Sequence, residues 1–489
     1  MPRAASREIA RDFLYLSAAR SVSLAISLVR SLIIPRWLGP TAYGMWKTLN
    51  LVQSYTQFAD LGALAALKRQ IPFHARRDDR AGAARDRDVA FFVNHVAIFT
   101  AAAGVLVVSF LVHDPGWARA MRLFIPLLYA NHVHTFMEQF LFWRKEFVYA
   151  ARINLGLSIV EAVLAIAGTI RYGLDGLIVG TFIGYALAAL VQLRWIRFDI
   201  GFAFRWSTYA DLVKIGFPSH VNGLLYNLLM SVDRMLILPV LGLEGVGLYG
   251  LGMTVNDYLF QFSYALGNVI SPRLVEKWSE TESMESMRPI VERPTLVIAM
   301  ATPMILGAVY FASAGAVATV LQSFREALVP LQILLLGTYF SSLHRGLSSF
   351  FLAIRRQARL LPVYAAAIGL NAALVSAALT LGWGIRGVAA ATSTTLAAFS
   401  ISIICMARAF FVRGVAAHVS FTARLLAPLS YGAACVLAGE AASRAAGGAA
   451  SPWLSAAAGL IAFCLLYSPV LLLAWHWFGR GLLPRRRAA

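Results

Sequence analysis

Apolar residues in this chain gather in long blocks, separated by short stretches that carry Arg and Lys. Each block is about twenty residues long, enough for a helix to cross a hydrocarbon core of about 30 Å. Without water to bond to, a backbone there must satisfy itself, so blocks of this length predict helices. Membrane strands would be about ten residues long and alternate in polarity, and that pattern is absent. Fourteen blocks are read, at 13–35, 42–66, 89–112, 119–142, 153–171, 174–195, 211–239, 247–271, 290–311, 327–352, 360–382, 386–407, 422–440 and 453–478. The expected fold is all-α integral membrane, with about fourteen transmembrane helices.

The polar positions inside the blocks are patterned too. Ser17, Arg20, Ser21, Ser27, Arg30 and Ser31 share half the circumference of block one at 100° per residue. Block two places Asn50, Gln53, Ser54, Gln57 and Asp60 on one stripe. Block seven does the same with Ser219, His220, Asn222, Tyr226, Asn227, Ser231, Asp233 and Arg234, and block eight with Asp257, Gln261, Tyr264 and Asn268. Block four offers Asn131, His134, Thr135 and Glu138; block ten offers Ser341, His344, Arg345 and Ser348. Blocks three, five, nine and eleven carry far less polar material. Blocks one, two, four, seven, eight and ten are therefore expected to line a water-filled space. The plainer alternative is that Ser, Asn and Gln act as interhelical glue, that Asp233 pairs locally with Arg234, and that Lys47 and Arg30 snorkel.

Two stretches repeat. Arg30-Ser-Leu-Ile-Ile-Pro35 matches Arg234-Met-Leu-Ile-Leu-Pro239; each is followed by Leu-Gly (Leu38-Gly39, Leu241-Gly242) and then Tyr-Gly (Tyr43-Gly44, Tyr249-Gly250). Gly173-Leu-Asp-Gly176 matches Gly384-Ile-Arg-Gly387. Blocks one to six and seven to twelve are thus expected to be two parallel copies of a six-helix unit, with a substrate site between them. The expected divisions are 1–200, 201–415 and 416–489, the last holding helices thirteen and fourteen and a basic tail.

Composition agrees: 59% of residues are hydrophobic and 14% charged, against about a quarter charged in a soluble chain. The net charge of +19 would suit nucleic acid, but its placement argues otherwise. With the N-terminus inside, 31 of the 43 Lys and Arg residues fall in inside segments, so the charge reports topology, with both termini cytoplasmic. No cleavable signal peptide is expected, because Met1 to Arg11 is polar and basic. The basic segment Lys68 to Asp88 fits a surface helix on the headgroups and a solvated loop equally well. Cys405, Cys435 and Cys464 lie inside blocks and are read as packing residues; no metal or cofactor is expected. No Walker loop, HExxH or GxSxG motif is found, so enzymatic activity is not expected.

Ionisable residues within a bilayer cost about 2.5–3.5 kcal/mol each on insertion scales and normally face a cavity or a partner. Guanidinium groups suit phosphate, so several arginines in one cavity point to an anionic substrate. Asp60, Glu138 and Asp257 are candidates for binding a coupling proton or sodium ion. Glu161 is left without a role.

The run Arg30-Ser-Leu-Ile-Ile-Pro-Arg-Trp-Leu-Gly-Pro-Thr-Ala-Tyr-Gly-Met-Trp46, with Asp233 to Pro239 and the glycine-rich start at Gly384 to Thr392, resembles polysaccharide flippases of the Wzx type. These belong to the multidrug/oligosaccharidyl-lipid/polysaccharide (MOP) exporter superfamily. The resemblance implies V-shaped lobes in the bacterial inner membrane, alternating access, and a membrane-lipid-linked anionic glycan as substrate. That substrate would be an undecaprenyl-pyrophosphate oligosaccharide for O-antigen, capsule or exopolysaccharide assembly. The family's cationic cavity would map to Arg20, Arg30, Arg234 and Arg345. Asn50, Gln53, Gln57, Asn222, Tyr226, Asn227, Gln261, Tyr264, Asn268 and His344 would line it. A polymerase or glycosyltransferase partner is compatible with this and leaves no trace in the chain; nucleic acid is not an expected partner. Alternatives are a lipid II or multidrug exporter of the same superfamily and, ranked lower, a membrane polymerase or ligase.

Overall fold

The apolar blocks form helices. The computed structural model describes residues 3–144, 146–196, 201–446 and 451–478; the side chains of 3–17, 196, 261–273, 345, 346 and 348 lie outside that description. Among the described residues there are thirteen α-helices and no strand. The chain divides into two compact units, Met1–Ser231 and Val232–Ala489. The first holds α1 (Arg3–Thr56), α2 (Ala63–Arg76), α3 (Arg80–Leu111), α4 (Pro115–Trp143), α5 (Phe147–Ile196) and α6 (Trp206–Leu229). The second holds α7 (Val232–Thr281), α8 (Met284–Thr319), α9 (Leu328–Ala353), α10 (Leu361–Thr380), α11 (Gly384–Arg408), α12 (Val415–Ala445) and α13 (Pro452–Phe478).

Ten stretches among the described residues are long and apolar enough to cross a membrane, and the chain is a multi-pass membrane protein. Three of them, Ala18–Thr56, Phe147–Trp195 and Trp206–Phe260, each take in two of the fourteen sequence blocks. The block at 119–142 is not among the ten, because α4 carries Asn131, His132, His134, Thr135 and Glu138. Large apolar side chains stand exposed in runs: Phe99, Val107, Phe110 and Leu111 on α3, and Leu465, Leu472 and Trp475 on α13. Water would not tolerate such continuous apolar surface, whereas lipid would.

The long helices break at glycine. α1 turns at Gly39 (φ 72°) and α7 at Gly242 (φ 67°), the positions paired by the first sequence match. α5 turns at Gly173 (φ 60°), and Gly384 at the start of α11 has φ 56°, which is the second matched pair. A side chain at positive φ crowds its own backbone, so glycine holds these turns at least cost. The matched positions share a backbone conformation as well as a residue.

Block two is shorter than its hydropathy suggests. The helix stops at Thr56, a turn occupies 57–62, and α2 restarts at Ala63. The basic segment after it is helical: α2 runs to Arg76 and α3 begins at Arg80. The side chain of Asp79 caps α3 by accepting the Gly82 N–H at 2.8 Å. Buried His74 holds the α2–α3 turn, its two ring nitrogens lying 2.8 Å from Asp79 Oδ2 and 3.0 Å from Asp86 Oδ2.

A sequence boundary at 200/201 assigns α6 to the second lobe, but its packing assigns it to the first unit. Leu212 shares a core with Ala63, Leu67 and Val89. Backbones approach so closely there that a Cβ on Gly216 would lie 1.9 Å from the Gly62 carbonyl oxygen. In the second unit, α12 and α13 pack on α8 through Phe311, Cys435, Phe463 and Tyr467, so the segment expected as separate at 416–489 shares that unit's core. The three cysteines are free thiols.

Candidate functional site

The break after Thr56 opens one wall of a polar cavity of about 670 Å3 inside the first unit. Six carboxamides line it: Asn50, Gln53 and Gln57 from the α1–α2 segment, Asn94 from α3, and Asn131 and Gln139 from α4. The cations in its wall are Lys68 and Arg69 on α2. Asp60 also faces it, but its carboxylate is occupied: Oδ1 accepts the Gly62 N–H at 3.1 Å and Oδ2 the Leu64 N–H at 2.7 Å. This is a cap on α2, made where the chain leaves the α1 ladder and needs acceptors for its freed donors. His220 of α6 completes the turn, donating from Nε2 to the Phe58 carbonyl at 2.9 Å, with Nδ1 3.9 Å from Asp60 Oδ1. His132 donates from Nε2 to Asn94 Oδ1 at 2.7 Å. Asn94 is 2% exposed, and its Nδ2 has no hydrogen-bond partner among the described residues.

The second unit arranges its polar groups differently. Asp233, 0% exposed, accepts from Tyr249 Oη at 2.5 Å, from Thr392 Oγ1 at 3.3 Å and from the Arg234 N–H at 2.7 Å. Arg234 Nε lies 3.8 Å from the same carboxylate. Thr392 also reaches Asn371 Oδ1 at 3.5 Å. A buried carboxylate is tolerated when its lone pairs are filled in this way. The cavity described in this unit is apolar, about 400 Å3, and walled by residues of α8, α9 and α12 that include Leu306, Leu336, Val436 and Leu437.

The family model for polysaccharide biosynthesis proteins matches residues 9–278, more than half of the chain. The chain belongs to that family. Among curated proteins none matches it by sequence. Its fold is that of the MOP transporters. The lipid II flippase MurJ, in an inward closed conformation, superimposes with a TM-score of 0.71 at 14% identity, covering 96% of this chain and 100% of that one. An inward-facing multidrug resistance MATE family transporter of the MOP superfamily gives 0.65 at 13% identity, covering 83% and 99%. A MOP superfamily transporter from Pyrococcus furiosus, with a binding pocket of reverse polarity, gives 0.59 at 13% identity, covering 81% and 95%.

Within this family member, Asn50, Gln53, Gln57 and Asp60 meet in the cavity, together with Ser54, Asn131, Thr135, Ser219 and His220. Other residues singled out in the first unit are not among those that line it. Arg20 stands exposed on α1. Arg30 is ion-paired with Glu161 of α5, which gives Glu161 a role. Glu138 accepts from Asn154 Nδ2. Asn222 bonds its own helix at the Pro218 carbonyl, Asn227 reaches Ser54 Oγ at 3.3 Å, and Tyr226 is half-buried on α6.

In the second unit, Asp257 is exposed on α7, and His344 is buried with Nδ1 2.9 Å from Ser400 Oγ. Gln261, Tyr264 and Asn268 on α7 and Arg345 on α9 have side chains outside the described residues. Sequence reasoning missed Lys68, Arg69, Asn94, His132 and Gln139. Only the adjacency of two basic residues to the end of an amide stripe could have signalled any of them.

Proposed function

We propose that this protein is a secondary transporter that flips an undecaprenyl-pyrophosphate-linked oligosaccharide from the cytoplasmic to the outer leaflet for surface polysaccharide assembly. The carrying observation is the amide-lined cavity of the first unit. Carboxamides present donors and acceptors side by side, as a polyhydroxyl ring requires. Among lipid-facing helices such groups are expensive unless something polar occupies the space they line. Lys68 and Arg69 give that space the sign an anionic head needs and repel a cationic drug. The alternation of basic segments supports an inner-membrane orientation with both termini cytoplasmic. Uphill movement would draw on a proton or sodium gradient or the membrane potential, and the protein is read as a carrier rather than an enzyme.

A second reading, lipid II export, is favoured by the likeness to the lipid II flippase along nearly the whole chain. The two readings differ in cargo and share the site. A strain lacking the gene separates them. A complete oligosaccharide repeat trapped on its undecaprenyl carrier at the cytoplasmic face, with loss of surface glycan, is expected. Accumulated lipid II with normal surface glycan would replace the first reading by the second. Normal traffic of both would overturn the proposal.

A further inference from the structure

The charges on α3 fix its depth in the bilayer. Arg80, Arg85, Arg87 and Asp88 stand in its first turns, and no charged residue follows before Asp114. The run from Phe92 to Leu111 rises about 30 Å, the thickness of a hydrocarbon core. Phe92 therefore sits where one leaflet meets its headgroups. The segment leading into α6 crosses α3 at this level. It begins so close that a Cβ on Gly201 would lie 2.7 Å from Asp88 Oδ2. It then lays Phe202 on Phe91, with ring centroids 5.2 Å apart, and Phe204 on Phe92, at 5.5 Å. Phe202 and Trp206 are 63% and 70% exposed, and exposed rings of this kind gather at membrane interfaces.

Beneath this aromatic strap is an apolar recess of about 530 Å3. Its wall includes Phe92, Val96, Ala97 and Ala101 of α3, Phe204 of the strap, and Ala59 in the turn after α1. From Phe92 to Ala101 it follows α3 for about 14 Å, close to half of the hydrocarbon core. The Thr100 hydroxyl donates to the Val96 carbonyl of its own helix at 2.9 Å, so it asks nothing of an occupant. Val96 is 49% exposed and Phe99 beside it 59%, so the recess opens on the lipid face of α3. Arg205, next to Phe204 at headgroup depth, is exposed and has no ion pair among the described residues.

We propose that this recess holds one acyl chain of a bilayer phospholipid, with the phosphate diester beside Arg205. Its depth is that of one leaflet, and it opens sideways into that leaflet, where phospholipid is the solvent. The wall offers a hydrocarbon chain contact without polar cost, and the guanidinium suits the diester. This lipid is a resident of the protein's wall and not its cargo, so the site goes beyond the transport reading and stands without it. Its bearing on the polar cavity runs through one short turn. In 57–62, Ala59 faces the recess while Phe58 and Asp60 face the polar cavity. A chain in the recess supports that turn from behind, so lipid occupancy sets how firmly the cavity wall is held.

The test uses the full-length protein purified in detergent and stripped of lipid. The probe is dioleoyl phosphatidylglycerol, and native mass spectrometry counts what is retained. The parent protein is expected to hold one such lipid more tightly than the rest. Ala97→Phe, which fills the recess, is expected to lose it; Val96→Trp on the same wall repeats the test if the first variant misfolds. Arg205→Gln keeps the recess but removes the charge, and is expected to weaken retention about tenfold. Hydrogen exchange across 57–62 is expected to slow when the lipid is returned to the parent and to stay unchanged in Ala97→Phe.

Retention by both filled variants as by the parent would overturn the site, and equal retention in Arg205→Gln would overturn the phosphate contact. Displacement by equimolar undecaprenyl phosphate would give the recess to a polyprenyl chain and overturn the phospholipid assignment. Exchange in the turn that ignores added lipid would overturn its bearing on the cavity. Normal glycan traffic in a deletion strain would sink transport and leave these results untouched.

Discussion

The two units begin from the same motif and spend their polar residues differently. Arg30 and Arg234 occupy matched positions, but the residue before them is Val29 in the first unit and Asp233 in the second. In the second unit that carboxylate gathers Tyr249 and Thr392, with Asn371 behind them, into a closed set of hydrogen bonds. In the first unit the arginine reaches instead to Glu161. Thr181, at the position matching Thr392, is left with a buried hydroxyl that has no partner among the described residues. The cavity described in the second unit is apolar, whereas the first unit holds a polar cavity and, separately, an apolar one. The described cluster around Asp233 in the second unit bonds within itself, whereas the carboxamides of the first unit line a cavity.

This division predicts opposite outcomes for loss of polar groups. Asp233→Ala should have the largest effect on folding. It strands Tyr249 and Thr392 in the interior and is expected to cost about 3 kcal/mol, read as reduced resistance to denaturation in detergent. A variant as stable as the parent would mean that the cluster does not hold the second unit together.

Breaking the Arg30 pair by Glu161→Gln should cost less, about 1–3 kcal/mol, because Arg30 keeps partial access to polar surroundings. Replacing both partners, Arg30→Met/Glu161→Leu, should recover most of that loss, as apolar substitutes for a buried pair often do. A double variant no better than the single one would show that Arg30 has a further duty, such as contact with cargo.

The smallest effect concerns pH. The Gly82 N–H, followed by His74, holds the Asp79 carboxyl below the ordinary carboxylate range. A depressed folded-state value means the cap's contribution is full above the unfolded-state pKa, about 3.9, and fades as pH falls through the folded value. Hydrogen exchange at the start of α3 should quicken only below about pH 4, and Asp79→Asn should remove that dependence. Persistence of the step in Asp79→Asn would show that the cap does not carry it.

Much of this was legible in the chain. Block length gave the helices, because a bilayer fixes how much apolar chain a crossing needs. The gaps between blocks took in the breaks at Gly39, Gly173 and Gly242, where the backbone conformation needs glycine. The stripe Asn50, Gln53, Gln57 and Asp60 gave one wall of the cavity, because helical spacing is a local property.

The rest depends on partners far away in sequence. Asn94 is a single amide in an apolar block and stands out only once α4 brings His132 to it. Lys68 and Arg69 read as ordinary loop charge, since basic residues after a membrane helix first signal topology. The turn at 57–62 was hidden because Ala63, Leu64 and Leu67 continue the apolar run across it. Arg30 could not be matched to Glu161 from spacing, since 131 residues separate them.

The most direct measurement is a flipping assay on the purified protein in liposomes, using a fluorescent undecaprenyl-pyrophosphate oligosaccharide and a dye quenched only in the outer leaflet. The parent protein should make the inner pool accessible. The cavity variant Gln53→Leu should lower the rate about tenfold, by loss of one or two hydrogen bonds to the head, with little change in resistance to denaturation. Equal rates in parent, Gln53→Leu and protein-free liposomes would contradict both the transport and the cavity proposed for it.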